Sequence, residues 1–158
     1  MTRRTALVLF ATLALPPTAL AKGPPWISIE LPANPWEPTT RGAFLVVHAF
    51  HHGTPVALPV TGVAEGFVDG QRRSIPLTFE RTNRAGVFAL RNQWGESGRW
   101  VLVITVTQGG AEDVAQAVVR IGADGQVASV QVPTRPHRQG PIPRRVTQTE
   151  IEAALVGK

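Results

Sequence analysis

The stretch GVFALRNQWGESGRWVLVITVT, residues 86–107, is the part of the chain that decides the fold. Apolar side chains stand at every second position in its two halves: Phe88 and Leu90, then Trp100, Leu102, Ile104 and Val106. A period of two is typical of β-strands with one face in a core. Gly95 and Gly98 favour a turn between them, because glycine accepts positive φ at little cost. The pattern predicts a hairpin in which opposing residue numbers sum to about 192, with residues 94–98 as the turn.

The composition favours one all-β domain. The chain has 158 residues, of which 43% are hydrophobic, with 15 Gly, 14 Pro and no Cys. That length suits a single domain, and abundant Gly and Pro beside Val and Thr favour many short strands over long helices. Without cysteine, the stability must come from the core and not from disulfides.

The first 21 residues have the pattern of a secretory signal peptide. Arg3 and Arg4 form a basic region, residues 6–15 are apolar, and Ala19-Leu20-Ala21 has the form of a cleavage site. Two prolines interrupt the apolar run well short of the roughly 20 residues that a membrane anchor needs. No cysteine follows that could carry a lipid. We therefore expect a periplasmic or secreted protein, cleaved near Ala21, whose mature chain has no transmembrane segment.

The positive charge does not indicate nucleic-acid binding. The whole chain has 16 basic and 11 acidic residues, net +5, and loss of Arg3 and Arg4 leaves 14 against 11, net +3. The arginines are scattered and tyrosine is absent. Together with the predicted export, this excludes a nucleic-acid interface.

Eight strands are predicted between residues 22 and 133. They cover residues 26–31, 42–52, 60–68 and 71–80, the two strands of the 86–107 hairpin, and residues 114–121 and 127–132. Asp69-Gly70 and Asp124-Gly125 have the sequence of two-residue hairpin turns. All links are short and none is helical, which predicts antiparallel pairing in an immunoglobulin-like (Ig-like) β-sandwich.

The C-terminal residues 134–158 differ in character. The segment TRPHRQGPIPRR, residues 134–145, is basic and rich in proline, which predicts an extended or mobile tail. Thr147 and Glu150 have the spacing of a capping box, so a short helix is expected over about residues 148–156. A helix this short needs a surface to pack on, in its own sandwich or in a partner. The candidate partner-binding residues of the tail are Arg144, Arg145, Ile151 and Leu155.

The sequence favours a packed strand position for His48 and an exposed turn for His51 and His52. The alternative is that these clustered histidines form a copper or zinc site. On an extended strand His48 and His52 would lie about 13 Å apart, and His51 would point to the other face. Nitrogen ligands of one metal ion lie only about 3–4 Å apart. A metal site therefore requires the strand to bend at residues 51–53, or a further ligand such as His137. No other cofactor is implied.

The sequence contains no catalytic pattern. None of the serines lies in a G-x-S-x-G elbow, and there is no H-E-x-x-H, phosphate-binding loop or dinucleotide fingerprint. Asp69 and Asp124 are explained by their turns. We therefore predict that the protein is not an enzyme.

Two tryptophans are candidate binding residues because they fall outside the predicted strands. Trp36 lies in a proline-rich loop, and Trp94 lies in the predicted turn of the hairpin. An exposed indole commonly anchors a protein partner or a sugar. The alternative is that a loop tryptophan folds back as a lid on the end of the sandwich.

The motifs GVFAL at residues 86–90 and GRWVLVI at 98–104, with Gly53-Thr54-Pro55-Val56 upstream, resemble bacterial extracytoplasmic Ig-like domains of the YtkA and FixH kind. The similarity covers about residues 26–107 and implies an Ig-like sandwich. Relatives in that group, including CopC-like domains, are associated with copper handling or the assembly of respiratory enzymes. Their Met and His ligands have no counterpart at the matching positions here.

Together these patterns predict a non-catalytic periplasmic or secreted module that docks onto another envelope protein. Two alternatives stay open. One is a copper- or zinc-binding accessory protein that uses His48, His51 and His52. The other is a carbohydrate-binding module, which requires Trp36 and Trp94 to be exposed and coplanar on one side.

Overall fold

The computed structural model describes residues 23–95, 98–110 and 113–157. The predicted signal peptide and its cleavage site near Ala21 lie outside the described residues. Within those ranges, no helix has both the length and the apolar character needed to cross a membrane.

The described residues form two antiparallel sheets, a small tail hairpin and one helix. The strands are β1 (Trp26–Glu30), β2 (Leu45–His51), β3 (Thr54–Pro55), β4 (Val60–Val68), β5 (Gln71–Leu77), β6 (Glu80–Arg81), β7 (Val87–Leu90), β8 (Arg99–Thr107), β9 (Val114–Ile121), β10 (Val127–Gln131), β11 (Thr134–Arg135) and β12 (Ile142–Pro143), and helix α1 is Gln148–Val156. The first sheet has the order β1-β2-β7-β6, with β3 also paired to β2, and the second has the order β10-β9-β8-β4-β5. Strands β11 and β12 pair as the tail hairpin. The predicted all-β sandwich with a short C-terminal helix is confirmed.

The core lies between the two sheets. Alternate residues of β2 and β8 point into it, among them Leu45, Val47, Leu102 and Ile104, each with no exposed surface. Burial of one such aliphatic side chain contributes about 1.5–3 kcal/mol to folding. The period of two therefore fixes which face of β2 and β8 points into the core between the sheets.

The turn chemistry was predicted correctly at Asp69-Gly70. Both residues have positive φ, 51° and 76°, and Val68 lies opposite Gln71 in the ladder. This is the geometry that a two-residue hairpin with the right-handed strand twist requires. A second turn of the same kind, His52-Gly53, joins β2 to β3.

The hairpin predicted over residues 86–107 is wrong. Strand β7 pairs with β2 and β6 in the first sheet, whereas β8 pairs with β4 and β9 in the second. The chain thus leaves the first sheet after Leu90 and joins the second sheet at Arg99. Alternation cannot separate these two arrangements, because apolar side chains from opposite sheets face the same core.

The strand predicted over residues 71–80 is also divided between sheets. Strand β5 ends at Leu77 in the second sheet, and the chain reaches the first sheet at Glu80, where β6 begins. Phe79 lies in this crossing and packs against the core. Apolar residues continue at every second position through the crossing, so the sequence pattern is that of a single strand.

The tail folds back onto its own sandwich. Leu155 of α1 is 2% exposed and packs with Val101, Val103 and Val118 on the outer face of the second sheet. The predicted helix is confirmed over Gln148–Val156, with the capping box of Thr147 and Glu150 and a left-handed Gly157 at its end. The tail before the helix is extended at Thr134–Arg135 and Ile142–Pro143, as predicted, but these two segments pair as a hairpin, which the sequence did not predict.

Candidate functional site

Trp36 is the most exposed large hydrophobic residue in the described part of the chain, with 85% of its surface accessible. The loop that presents it is held by local hydrogen bonds. The Trp36 backbone N–H donates to Asn34 Oδ1 at 2.9 Å, and the N–H of Glu37 donates to the Asn34 carbonyl at 3.2 Å. The hydroxyl of Thr39 donates to Glu37 Oε1 at 2.8 Å. The indole therefore projects from an ordered loop.

Trp94 does not lie at the surface. It is 5% exposed and belongs to the main core, where its ring meets Phe44 edge to face with centroids 5.0 Å apart. Edge-to-face contacts of this kind add about 0.5–1.5 kcal/mol beyond area burial. The alternative in which a loop tryptophan folds back onto the sandwich is correct for Trp94. The prediction that Trp94 is exposed and binds a protein or a sugar together with Trp36 is wrong.

The tail residues predicted to bind a partner are used within the chain. Leu155 is buried against the second sheet, and Ile151 packs beside it in the same cluster. Arg144 binds both carboxylate oxygens of Glu150, at 2.9 and 2.6 Å. Arg145 is exposed, and its backbone carbonyl accepts a hydrogen bond from Arg144. Leu155 is therefore not accessible to a partner while the tail is docked.

Two carboxylates of α1 have a lowered pKa because each accepts hydrogen bonds from an arginine. The Arg144 guanidinium, followed by the backbone N–H of Thr147, lowers the pKa of Glu150 to about 2. Glu152 is hydrogen-bonded to Arg72 of β5, and this contact lowers the pKa of Glu152. The contact with Arg72 joins α1 to the sandwich, whereas Arg144 and Thr147 belong to the tail itself. The lowered pKa of Glu150 therefore reflects contacts within the tail.

His48 is bound to a carboxylate. Its Nε2 lies 2.8 Å from Glu30 Oε2, and its ring stacks on Phe50 with centroids 6.2 Å apart. Ser28 lies directly opposite His48 in the β1–β2 ladder, yet among the described residues no hydrogen bond joins the two. Because nucleophilic catalysis needs the hydroxyl within hydrogen-bond reach of its base, this trio does not form a catalytic triad.

The histidine cluster is brought together only in part. The rings of His51 and His52 are 4.2 Å apart, because β2 ends there and the chain turns. The Nε2 atom of His51 is buried and has no hydrogen-bond partner in the described part of the chain. Across residues 23–95, 98–110 and 113–157, no group of three or more His, Cys, Asp or Glu residues could hold a metal ion. The three-imidazole site is therefore not formed.

A cleft lies where the start of β1 meets the tail hairpin, and it is here named the N-terminal cleft. Its cavity volume is about 360 Å³. It is lined by Gly23, Pro24, Trp26, His52, His137, Gln139, Pro141 and Ile142. Trp26 is 39% exposed, because it occupies an outward position of β1 next to the inward Ile27. The two walls come from opposite ends of the described chain.

Sequence reasoning missed Trp26 and Gln139 as site residues. Trp26 stands at the first position of a predicted strand, so the alternation that places Ile27 inward already places Trp26 outward. That signal was available in the sequence. No sequence signal placed Gln139 beside Trp26, because the tail hairpin meets the N-terminal segment only through tertiary packing.

Comparison with protein-family models, with curated proteins and with solved structures found no match to this chain.

Proposed function

We propose that this protein is a non-catalytic, extracytoplasmic binding module that docks onto another protein of the cell envelope through the loop carrying Trp36. The observation that carries the proposal is the 85% exposure of Trp36 on an ordered loop. Tryptophan is enriched among the residues that dominate binding energies. A loop that is already ordered loses little further conformational entropy on binding.

The N-terminal sequence supports the extracytoplasmic part of this proposal. The basic, apolar and small-residue pattern of residues 1–21 is typical of exported proteins. The resemblance to YtkA and FixH domains favours an accessory role in the same compartment. The non-catalytic part rests on the absence of catalytic sequence motifs and on the pairing of His48 with Glu30. Within the described ranges, no nucleophilic side chain is hydrogen-bonded to this pair.

Docking of the tail argues for the Trp36 loop over the helix as the binding surface. Helix α1 covers the outer face of the second sheet with Leu155. A chain shortened to residue 133 would expose Val101, Val103 and Val118, so its behaviour would mix loss of stability with loss of binding. Point substitution of Trp36 is the sharper experiment.

The test is capture of envelope proteins by the full chain and by Trp36→Ala. Val156→Ala is the matched control, since Val156 is also exposed, at 52%, but lies on α1. We expect the wild type and Val156→Ala to capture the same protein and Trp36→Ala to lose it, with an unchanged melting temperature. Capture of the same protein by Trp36→Ala would contradict the proposal.

A further inference from the structure

We infer that the N-terminal cleft binds a neutral saccharide of one or two sugar rings, stacked on Trp26. This inference goes beyond docking through Trp36 and uses a different tryptophan. The cavity volume of about 360 Å³ falls within the roughly 300–1,000 Å³ of small-molecule sites. It is accessible from solvent, since His52, His137 and Gln139 are all exposed.

The charge of the lining defines the charge of the ligand. None of the residues that line the cleft is Lys, Arg, Asp or Glu. A ligand with a net charge would lose hydration in the cleft without gaining an opposite charge, which is unfavourable. The lining therefore favours an uncharged ligand over a phosphate, a carboxylate or an amine.

The polar groups of the cleft define its hydrogen bonding. Neutral imidazole has one donor and one acceptor nitrogen, and a glutamine side chain has a donor and an acceptor group. His52, His137 and Gln139 thus offer both kinds of partner in one cavity. Hydroxyl groups also both donate and accept, so a ligand rich in hydroxyls can satisfy these side chains and be satisfied by them.

The apolar groups define the shape of the ligand. Trp26 contributes a partly exposed indole, and the remaining wall is formed by Pro24, Pro141 and Ile142. An indole joins a flat apolar surface to one N–H donor. A sugar ring has the matching character, because its C–H groups form apolar patches while its hydroxyls point outward along the edge.

The walls of the cleft are fixed before any ligand binds. Trp26 is held by pairing of β1 with β2, where it lies opposite Phe50. The Gly140 N–H donates to the His137 carbonyl at 3.1 Å, which closes the turn of the tail hairpin. The hairpin is tied at its other end by the Arg144 N–H, which donates to the Pro133 carbonyl at 3.0 Å. A preformed site avoids the entropic cost of ordering on binding.

The test is a titration of the full chain with glucose, N-acetylglucosamine, cellobiose and maltose, followed by NMR of the four tryptophan indole N–H signals. The spectrum of Trp26→Phe assigns the Trp26 signal. We expect a saturable shift of that signal with at least one sugar, at a Kd of about 1 mM. Trp26→Ala lacks this indole signal, so its binding is followed by the backbone amide signals of Gln139 and Ile142. The substitution should weaken binding at least about tenfold, the equivalent of about 1.4 kcal/mol. Trp36→Ala is the control and should bind as the wild type does.

Two further substitutions, at exposed residues of the tail, keep the inference testable if the Trp26 variant fails to fold. Gln139→Ala and His137→Ala remove hydrogen-bonding groups of the cleft outside the two main sheets, and each should weaken the same sugar several-fold. No saturable shift with any of the four sugars up to about 50 mM would overturn the inference. Equal shifts at Trp26 and Trp36 would also overturn it, as would Zn(II) shifting His52 and His137 signals while the sugars do not.

Discussion

The side chain of Gln93 hydrogen-bonds to both backbone polar groups of Thr78. The Thr78 N–H donates to Gln93 Oε1 at 2.9 Å, and Gln93 Nε2 donates to the Thr78 carbonyl at 2.8 Å. Thr78 lies where the chain leaves the second sheet for the first, and Gln93 lies where it returns. The Gln93 side chain thus links the two crossings, and it satisfies the N–H and the carbonyl of Thr78 as the backbone of a neighbouring strand would.

Replacement of this side chain should loosen both crossings. We expect Gln93→Ala to lower the free energy of unfolding by about 1–2 kcal/mol, because it removes two hydrogen bonds of about 0.5–1.5 kcal/mol each. Urea denaturation measures the change. Gln126→Ala, at an exposed turn position, is the matched control and should stay within about 0.5 kcal/mol of the wild type. Equal effects of the two substitutions would show that the Thr78 contact contributes nothing.

Leu155 should anchor the tail helix to the second sheet. Leu155 is only 2% exposed. We therefore expect Leu155→Ala to lower the free energy of unfolding by about 2–5 kcal/mol, mainly by weakening the packing of α1 on the second sheet. Hydrogen exchange of the α1 amides should accelerate while that of the core strands changes little. Val156→Ala, one residue along and 52% exposed, should leave α1 exchange unchanged. Unchanged exchange in Leu155→Ala would mean that the helix is held by its polar contacts alone.

The ion pair of Glu150 and Arg144, which lies within the tail, should make the stability of the folded tail sensitive to acid. The pKa of Glu150 falls from 4.5 to about 2 in the folded chain. A carboxyl group with a lowered folded pKa stabilises the fold above its unfolded pKa, and this stability is lost as the pH falls toward the folded pKa. We therefore expect the stabilising contribution of Glu150 to disappear between about pH 4.5 and pH 2.

Thermal melts of wild type and Glu150→Gln over this pH range test the prediction. Their difference in Tm should be largest near neutral pH and should shrink as the solution becomes acidic. Glu80→Gln is the control, since Glu80 pairs with Arg91 in an exposed ion pair, and such pairs contribute about 0–1 kcal/mol. A Tm difference for Glu150→Gln that stays constant with pH would refute the prediction.

Gly66 is required because Trp100 lies against it. A Cβ atom at Gly66 would stand 2.3 Å from Trp100 Cε3, and the two residues are opposite each other in the β4–β8 ladder. We expect Gly66→Ala to destabilise the fold by about 1–3 kcal/mol through overpacking, with a perturbed near-ultraviolet signal from the indole. Gly110→Ala, where the nearest atom is 3.9 Å away, should have little effect on stability. Similar losses for both variants would contradict the steric explanation.

Features encoded by neighbouring residues were predictable. The helix over Gln148–Val156 follows from the spacing of Thr147 and Glu150 and from the glycine after it. The bounds of β4 and β9 follow from alternation between glycine-containing turns. In each case the determining interactions lie within a few residues of one another.

The burial of Trp94 and the assembly of the N-terminal cleft were not predictable in the same way. Trp94 lies in a connection whose path depends on which sheet receives the next strand. The cleft combines Trp26 with His137, and these residues meet because the tail returns across the sandwich. Neither the burial of Trp94 nor the meeting of Trp26 with His137 produces a periodic pattern in the sequence.

The sequence by itself determined that this protein is an antiparallel β-sandwich followed by a capped helix, because side-chain alternation and turn chemistry act locally. Only the tertiary structure decided that β7 and β8 belong to different sheets, that Trp94 is a core residue and that the helix packs on its own chain. The physical reason is that the hydrophobic effect is non-directional, so it stabilises any arrangement that places apolar side chains in the core. The choice among such arrangements depends on packing between residues that are distant in the chain.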